Sequence, residues 1–367
     1  MIVLNLKLDG IYGFDKFEID FTYPKKIVNS IIENEHLEGR ERFRYKKAVI
    51  LMGANATGKT SLGKALLRIV TYLNTGNTAG LFDMVSDNFG SFTIDFVNSG
   101  FSMHRVKVTL DVGTSNAVVE YWSTVIDKMD CYEKCVNKLS KYDVEALAST
   151  NALKKMIGPI SYRFAYPEIE TSLNFSGLNK NVFTKTLKAV IGTLDPTLKD
   201  VSVSKDLKDT FIIRRKNQEI IIQEGKLLNR NVLSSGTAEG IDVAVFLASM
   251  MSKEKTFYYC DEHFSYIQSD IERRIFGLML DRISENEQLI FTTHNTDMLD
   301  LNLPKHSFMF LRKESQDKEY RITAISASDI LKRNTDSVRC ALENDVFHSI
   351  PDDSLLDELV VHSSIKY

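Results

Sequence analysis

Along the first residues apolar and polar positions alternate, Ile2, Leu4, Leu6 and Leu8, then Phe17, Ile19 and Phe21, with Asp9, Gly10 and Gly13 between the two runs. Period two with turn residues in the gap predicts two strands and a turn. Residues 24–47 interrupt this with an uneven, charged stretch, after which the apolar run Ala48 to Met52 predicts a short strand. Beyond a Gly-containing loop, Leu62, Ala65, Leu66, Ile69, Val70 and Leu73 recur at helical spacing. Strand patterns return over 91–125, in Phe92, Ile94 and Phe96, in Val106, Val108 and Leu110, and in Val118, Val119 and Tyr121. Residues 126–200 read mostly helical, with turn signals near Gly158, Pro159 and Pro196. A hairpin is expected from Phe211 to Arg214 and Glu219 to Gln223, joined at Lys216 and Asn217. Ile241 to Met251 reads as an apolar helix, while Phe257 to Cys260 and Leu289 to Thr293 read as strands. Internal repeats, low-complexity tracts and a long heptad array are all missing, so an extended coiled-coil arm is not expected.

A chain of 367 residues suits two domains, or one with a large insertion. The pattern divides it into a first lobe over 1–125, an insertion or lid over 126–230 and a second lobe with a tail over 231–367. Net charge is −3, so no global field draws the chain onto nucleic acid or anionic lipid, and such contact would need a local patch. The one candidate is Gly39 to Lys47, where Arg42, Arg44 and Lys46 alternate with Phe43 and Tyr45. At period two this equally describes a strand edge defended by charge. The N-terminus lacks the features of a signal peptide and no apolar run spans a bilayer, so a cytoplasmic protein without membrane contact is expected. Cys131, Cys135, Cys260 and Cys340 are too few for a disulfide framework, and the pair four residues apart has no second pair of soft ligands for zinc.

The loop between the 48–52 strand and its helix reads GANATGKT, from Gly53 to Thr60. Strand, loop and helix in this order are the context that a Gly-x-x-x-x-Gly-Lys-Thr phosphate loop requires. Gly53 and Gly58 let the backbone wrap so that its N–H groups point at phosphates, at the positive end of the following helix. Asn55, Ala56, Thr57 and Ser61 complete the candidate nucleotide-binding segment. Lys59 would reach the β- and γ-phosphates of ATP, and the Thr60 hydroxyl would hold Mg²⁺.

In the second half, the 257–260 strand ends in Asp261 and Glu262, a carboxylate for the Mg²⁺ shell followed by one that can polarise water. The 289–293 strand ends in His294. Between the two nucleotide motifs stands LSSGTAEG, Leu233 to Gly240, immediately before the apolar helix. Ser234, Ser235 and Gly236 at a helix N-terminus make a second phosphate-facing surface, redundant unless it serves another subunit's nucleotide.

These four pieces, in this order, resemble the ABC-type ATPase head shared by transporters, SMC proteins and RecF. The resemblance implies an α/β fold: a parallel core sheet with helices on both faces, an antiparallel β-subdomain and a helical lid. It also implies that Glu262 is the general base and that His294 senses the γ-phosphate. In the same family Ser234, Ser235 and Gly236 close over the phosphate held by Lys59 of a second copy, so an ATP-dependent homodimer or higher oligomer is expected. TTHNTDMLD after the strand, together with LSSGT, resembles the OLD class (overcoming lysogenisation defect) of bacterial antiphage ATPases. Arg339 and the segment ALENDVFHSIPD are similar to the ending of its stand-alone members.

The sequence departs from the family in three places. No Gln occurs between the phosphate loop and Gln218, so the glutamine loop is not identifiable; Glu239 stands where a basic residue often follows the signature; and Gln268 and Ser269 replace a His-Pro pair. These leave nucleotide binding intact and point to slow, switch-like hydrolysis. No nuclease or other output motif follows His294, so the expected partner is a separately encoded effector, such as a nuclease or toxin. A RecF-like ATPase that clamps DNA is the alternative. The missing glutamine loop argues against a transporter subunit, and the lack of an Asn-Lys-x-Asp motif against a GTPase.

Overall fold

All of Ala48–Met52 is buried, and the strand lies in the middle of the fold. It pairs in parallel with Gln288–Thr292 on one side and with Phe308–Gln316 on the other. The computed structural model describes residues 1–350 other than 29, 99, 143–149, 167–172, 174, 176–177, 217, 229, 254–256, 317–318 and 334. In it the central strand belongs to a six-stranded sheet in the order Tyr162–Ala165, Phe257–Asp261, Gln288–Thr292, Ala48–Met52, Phe308–Gln316, Glu319–Ser326. Its strands run parallel except the last, which returns antiparallel at the edge.

Strand alternation sorts the core sheet into two faces. Ile50, Met52, Tyr258, Cys260, Leu289 and Phe291 enter one core, and Val49, Leu51, Phe257, Tyr259 and Ile290 enter the other. A sheet apolar on both faces must be covered on both. Helices Lys180–Leu194, Ser235–Met251 and Ser269–Leu280 cover the first face, through residues such as Leu187, Ile241 and Phe276. Helix Lys59–Thr75 and the N-terminal sheet cover the second, through Leu62, Leu66, Leu8 and Ile94.

The N-terminal sheet is antiparallel throughout, in the order Phe17–Asp20, Ile2–Asp9, Phe89–Asn98, Ser102–Asp111, Asn116–Val125, Ser140–Lys141. As the alternation predicts, Phe92, Ile94, Phe96, Val106, Val108 and Leu110 are buried. Gln288 sews this sheet to the core sheet. Its buried amide accepts the Val3 N–H at 2.8 Å and donates to the Val3 and Lys46 carbonyls, each at 3.1 Å, so both polar ends are satisfied.

The 126–200 stretch departs from the mostly helical expectation. Tyr132–Lys138, Thr150–Ile157 and Lys180–Leu194 are helices, but Tyr162–Ala165 is the outer strand of the core sheet. Four residues are too few for periodicity to register, and the open edge of Phe257–Asp261 gives them a parallel partner. The expected hairpin is present, with Arg215 opposite Gln218, inside a small antiparallel sheet over 198–227. Asn217 of its turn lies outside the described residues.

Candidate nucleotide site

The candidate phosphate loop is shaped by its two glycines. At Gly53 a Cβ would stand 2.4 Å from the Leu311 carbonyl oxygen of the adjacent strand. Gly58 caps the helix at φ +95, in the left-handed region, and a Cβ there would meet the Phe14 ring at 2.8 Å. Neither position admits a side chain without backbone or core movement. The first intrahelical bond runs from the Leu62 amide to the Gly58 carbonyl at 2.8 Å, so the amides of Lys59, Thr60 and Ser61 precede the ladder at the positive helix end. They border a cavity of about 160 Å³ lined by Asn55, Ala56, Gly58, Lys59, Thr60, Ser61 and Glu262.

Lys59 is buried, with Nζ donating to the Gly53 carbonyl at 2.7 Å and the Ala54 carbonyl at 3.1 Å and lying 3.2 Å from Glu262 Oε1. The same oxygen is 2.8 Å from His294 Nε2. Burial pushes the Glu262 carboxyl up, but the His294 hydrogen bond and the Lys59 charge outweigh it and hold the group below the ordinary range. It is therefore a carboxylate at neutral pH. Its backbone sits at φ +43, a left-handed conformation that costs a non-glycine residue about 1–2 kcal/mol. The Glu262 amide donates to the carbonyl and hydroxyl of Thr292 at 3.2 and 3.0 Å, which holds it there.

Asp261 is fully buried, and Oδ1 accepts the Thr292 hydroxyl at 2.7 Å. Burial raises its pKa, opposed by the nearby Thr60 hydroxyl and the hydrogen bond from Thr292. Oδ2 has no hydrogen-bond partner. A buried carboxylate oxygen left over beside a threonine hydroxyl fits a small hard cation. Among the described residues no cluster of three His, Cys, Asp or Glu could hold a metal. One carboxylate and one hydroxyl, with phosphates and water completing the shell, is how Mg²⁺ is held.

The structure thus brings Lys59, Thr60, Asp261, Glu262 and His294 together, and leaves Ser234, Ser235 and Gly236 out of the cavity lining. Ser234 and Ser235 are exposed. Ser234 caps helix Ser235–Met251, accepting the Thr237 amide at 3.2 Å. The helix behind it is buried on nearly every side, Asp242 excepted, which fixes the direction of its N-terminus.

Several supporting residues carry no signal in the sequence. The Tyr259 hydroxyl donates to the Lys59 carbonyl at 2.8 Å, and its ring lies where a Cβ on Gly63 would be. Glu272 accepts the Thr293 hydroxyl at 2.7 Å and the Asn295 amide at 2.6 Å, which fixes the segment on both sides of His294. Asn295 adjoins a conspicuous histidine, whereas Glu272 is one acid on an amphipathic helix and nothing marks it. The tail reaches the same segment: Arg339 binds Asp297 and Asp300 at 2.8 and 2.7 Å, and Phe347 stacks on Phe310 at 4.0 Å. Pro351 and Asp352 lie outside the described residues.

Phe43 and Tyr45 are fully buried, as is most of Lys46 and Lys47. Arg40 lies over the Phe101 ring at 3.7 Å and donates to the Ile126 carbonyl at 2.8 Å. Buried aromatics offer no stacking platform to bases. No helix among the described residues is long and apolar enough to cross a membrane.

No known family profile matches the sequence, and no curated protein does. Solved structures do resemble it. An Smc head bound to the C-terminal winged-helix domain of ScpA superposes on 90% of this chain and 100% of its own, with a TM-score of 0.52 at 13% identity. The fold is similar to that of an Smc head. The Smc head of Pyrococcus furiosus with an extended coiled coil, bound to the C-terminal domain of ScpA, covers 89% of this chain and 97% of its own, with a TM-score of 0.50 at 10% identity. RecF of the RecFOR pathway covers 87% and 97%, with a TM-score of 0.41 at 12% identity. The central strand leads into the candidate phosphate loop, while the adjoining strand ends at Thr292, two residues before His294, and the next at Asp261.

Proposed function

We propose that the chain is an ATPase in which two copies close head to head on ATP, each completing the other's site. The observation that carries this reading is the separation of two phosphate-facing surfaces. Lys59 and Glu262 line one cavity, with His294 2.8 Å from the Glu262 carboxylate, while Ser234 and Ser235 stand exposed outside its lining, on a helix too deeply buried to turn toward it. A second nucleotide-facing helix end that cannot reach its own chain's cavity serves another copy.

In the reaction the loop amides and Lys59 hold the β- and γ-phosphates. Glu262, ionised and oriented by His294, accepts a proton from water as the water oxygen bonds to the γ-phosphorus and the bridging bond to ADP breaks. Mg²⁺, when bound, neutralises charge on the phosphate oxygens, and Thr60 and Asp261 would hold it. The unidentifiable glutamine loop favours slow turnover, as suits a switch.

The switch serves a separately encoded effector in bacterial antiphage defence. LSSGT and TTHNTDMLD support this, as does the tail, whose Arg339 binds the segment after His294 and so belongs to the head. The alternative of a DNA clamp loses its sequence support with the burial of Phe43 and Tyr45. Mixing Lys59→Ala and Ser234→Arg subunits tests the shared site. Each alone should be inactive, while the mixture regains up to one composite site per dimer. An inactive mixture in which hetero-assemblies form, or normal turnover by Ser234→Arg alone, refutes it.

A further inference from the structure

Glu239 lies about one turn into helix Ser235–Met251, and its carboxylate reaches the turn that follows Glu262. One oxygen accepts the Ser265 amide at 3.2 Å and the other the Tyr266 amide at 3.0 Å. The residue is only 8% exposed, a setting in which charge-assisted bonds are strong. Helix and turn also meet on either side of it. A Cβ on Gly236 would stand 2.6 Å from the Tyr266 carbonyl oxygen, and Asp242 Oδ2 lies 3.6 Å from His263 Nε2. The turn closes back on Glu262, because the Ser265 hydroxyl donates to the Glu262 carbonyl at 3.0 Å. Displacing the helix therefore pulls on Ser265, and through it on the backbone that aims the Glu262 carboxylate.

We propose that Glu239 is a positioning residue: it transmits the seating of a second copy's nucleotide on Ser234 and Ser235 to the Glu262 carboxylate of its own chain. This role rests on the shared-site ATPase reading above. It also accounts for an acid at a place where that class often has a base, since only a carboxylate offers two acceptors to two adjacent N–H groups. Plain packing between helix and turn would be served equally by the isosteric amide, which keeps one acceptor and turns an NH₂ toward the second N–H.

Glu239→Gln separates the two accounts. Its kcat for ATP should fall by about tenfold or more while ATP affinity and ATP-driven association stay within about twofold, and the Ser265 and Tyr266 amides of the nucleotide-free chain should exchange roughly tenfold faster. Glu239→Asp, which restores both acceptors on a shorter arm, should recover part of the rate. Wild-type turnover by Glu239→Gln beside a hydrolysing wild type overturns the role alone. So does a parallel fall in rate and affinity with unchanged exchange at 265 and 266. A wild-type chain that does not hydrolyse ATP overturns the ATPase reading and this role with it.

Discussion

Glu262 Oε1 lies 3.2 Å from Lys59 Nζ, so the candidate base and the candidate phosphate-binding cation are partners of each other. A γ-phosphate reaching Lys59 competes with that carboxylate, and Glu262 is then left to the hydrogen bond from His294. Charge passes from one anion to the other without an unpaired cation at any point.

Lys59→Ala should abolish measurable ATP binding by calorimetry, since the main positive charge at the phosphates is gone. It should also move the Glu262 carboxyl upward, because the Lys59 charge is among the influences that hold it down. Far-ultraviolet circular dichroism should be unchanged. Normal turnover by this variant would refute the site.

Glu262→Gln should keep ATP affinity and lose hydrolysis by about 10²–10⁴-fold. Because ATP binding favours the associated state and nothing then discharges it, the variant should accumulate as a closed assembly, read as a doubled mass by light scattering with ATP. A monomer at saturating ATP would contradict the head-to-head arrangement.

Gly63→Ala sets helix propensity against packing. Alanine gains about 1 kcal/mol in a helix interior, but its Cβ would stand 2.5 Å from the buried Tyr259 ring, and overpacking costs about 1–3 kcal/mol. Packing wins: the variant should unfold at lower urea. Because the Tyr259 hydroxyl holds the Lys59 carbonyl, ATP affinity should fall as well. A more stable variant would show that the ring moves aside freely.

His104 gives a pH dependence to stability. Burial lowers its pKa from 6.5 to about 4, so the unfolded chain takes up a proton at a pH where the folded chain does not. Stability from the neutral ring is full above about pH 6.5 and declines as pH falls toward about 4, by about 3 kcal/mol in all. Urea midpoints of wild type and His104→Gln should therefore converge on acidification over that window. Parallel pH profiles would show that His104 titrates normally.

The candidate catalytic elements were legible in the sequence because each joins a periodic segment to a residue whose chemistry the segment's end explains. Lys59 and Thr60 follow the strand Ala48–Met52, Asp261 and Glu262 close or follow Phe257–Asp261, and His294 follows Gln288–Thr292, and the sheet brings the three strand ends side by side. What stayed hidden depends on contacts across long stretches of chain. Tyr162–Ala165 is a strand because of Phe257–Asp261, not because of its own pattern. Glu272 and Gln288 gain their roles from groups that only the folded chain brings to them. Glu239 was visible as a departure from a family pattern, but the two amides that explain it lie on another segment. The alternating basic patch supports two readings, and burial of Phe43 and Tyr45, which no sequence pattern shows, takes the stacking platform from one of them.

The strand order carries a consequence for how the chain is made. Ala48–Met52 leaves the ribosome early, yet both of its sheet neighbours, Gln288–Thr292 and Phe308–Gln316, come from the last quarter of the sequence. At roughly 5–20 residues per second, the strand that leads into the candidate phosphate loop waits on the order of 10–50 s for the first edge it can pair with. During that interval its apolar side chains have only the 59–75 helix and the N-terminal sheet to shelter them, so translation speed and chaperone access between residues 52 and 288 should govern the soluble yield of this protein more than changes on its finished surface.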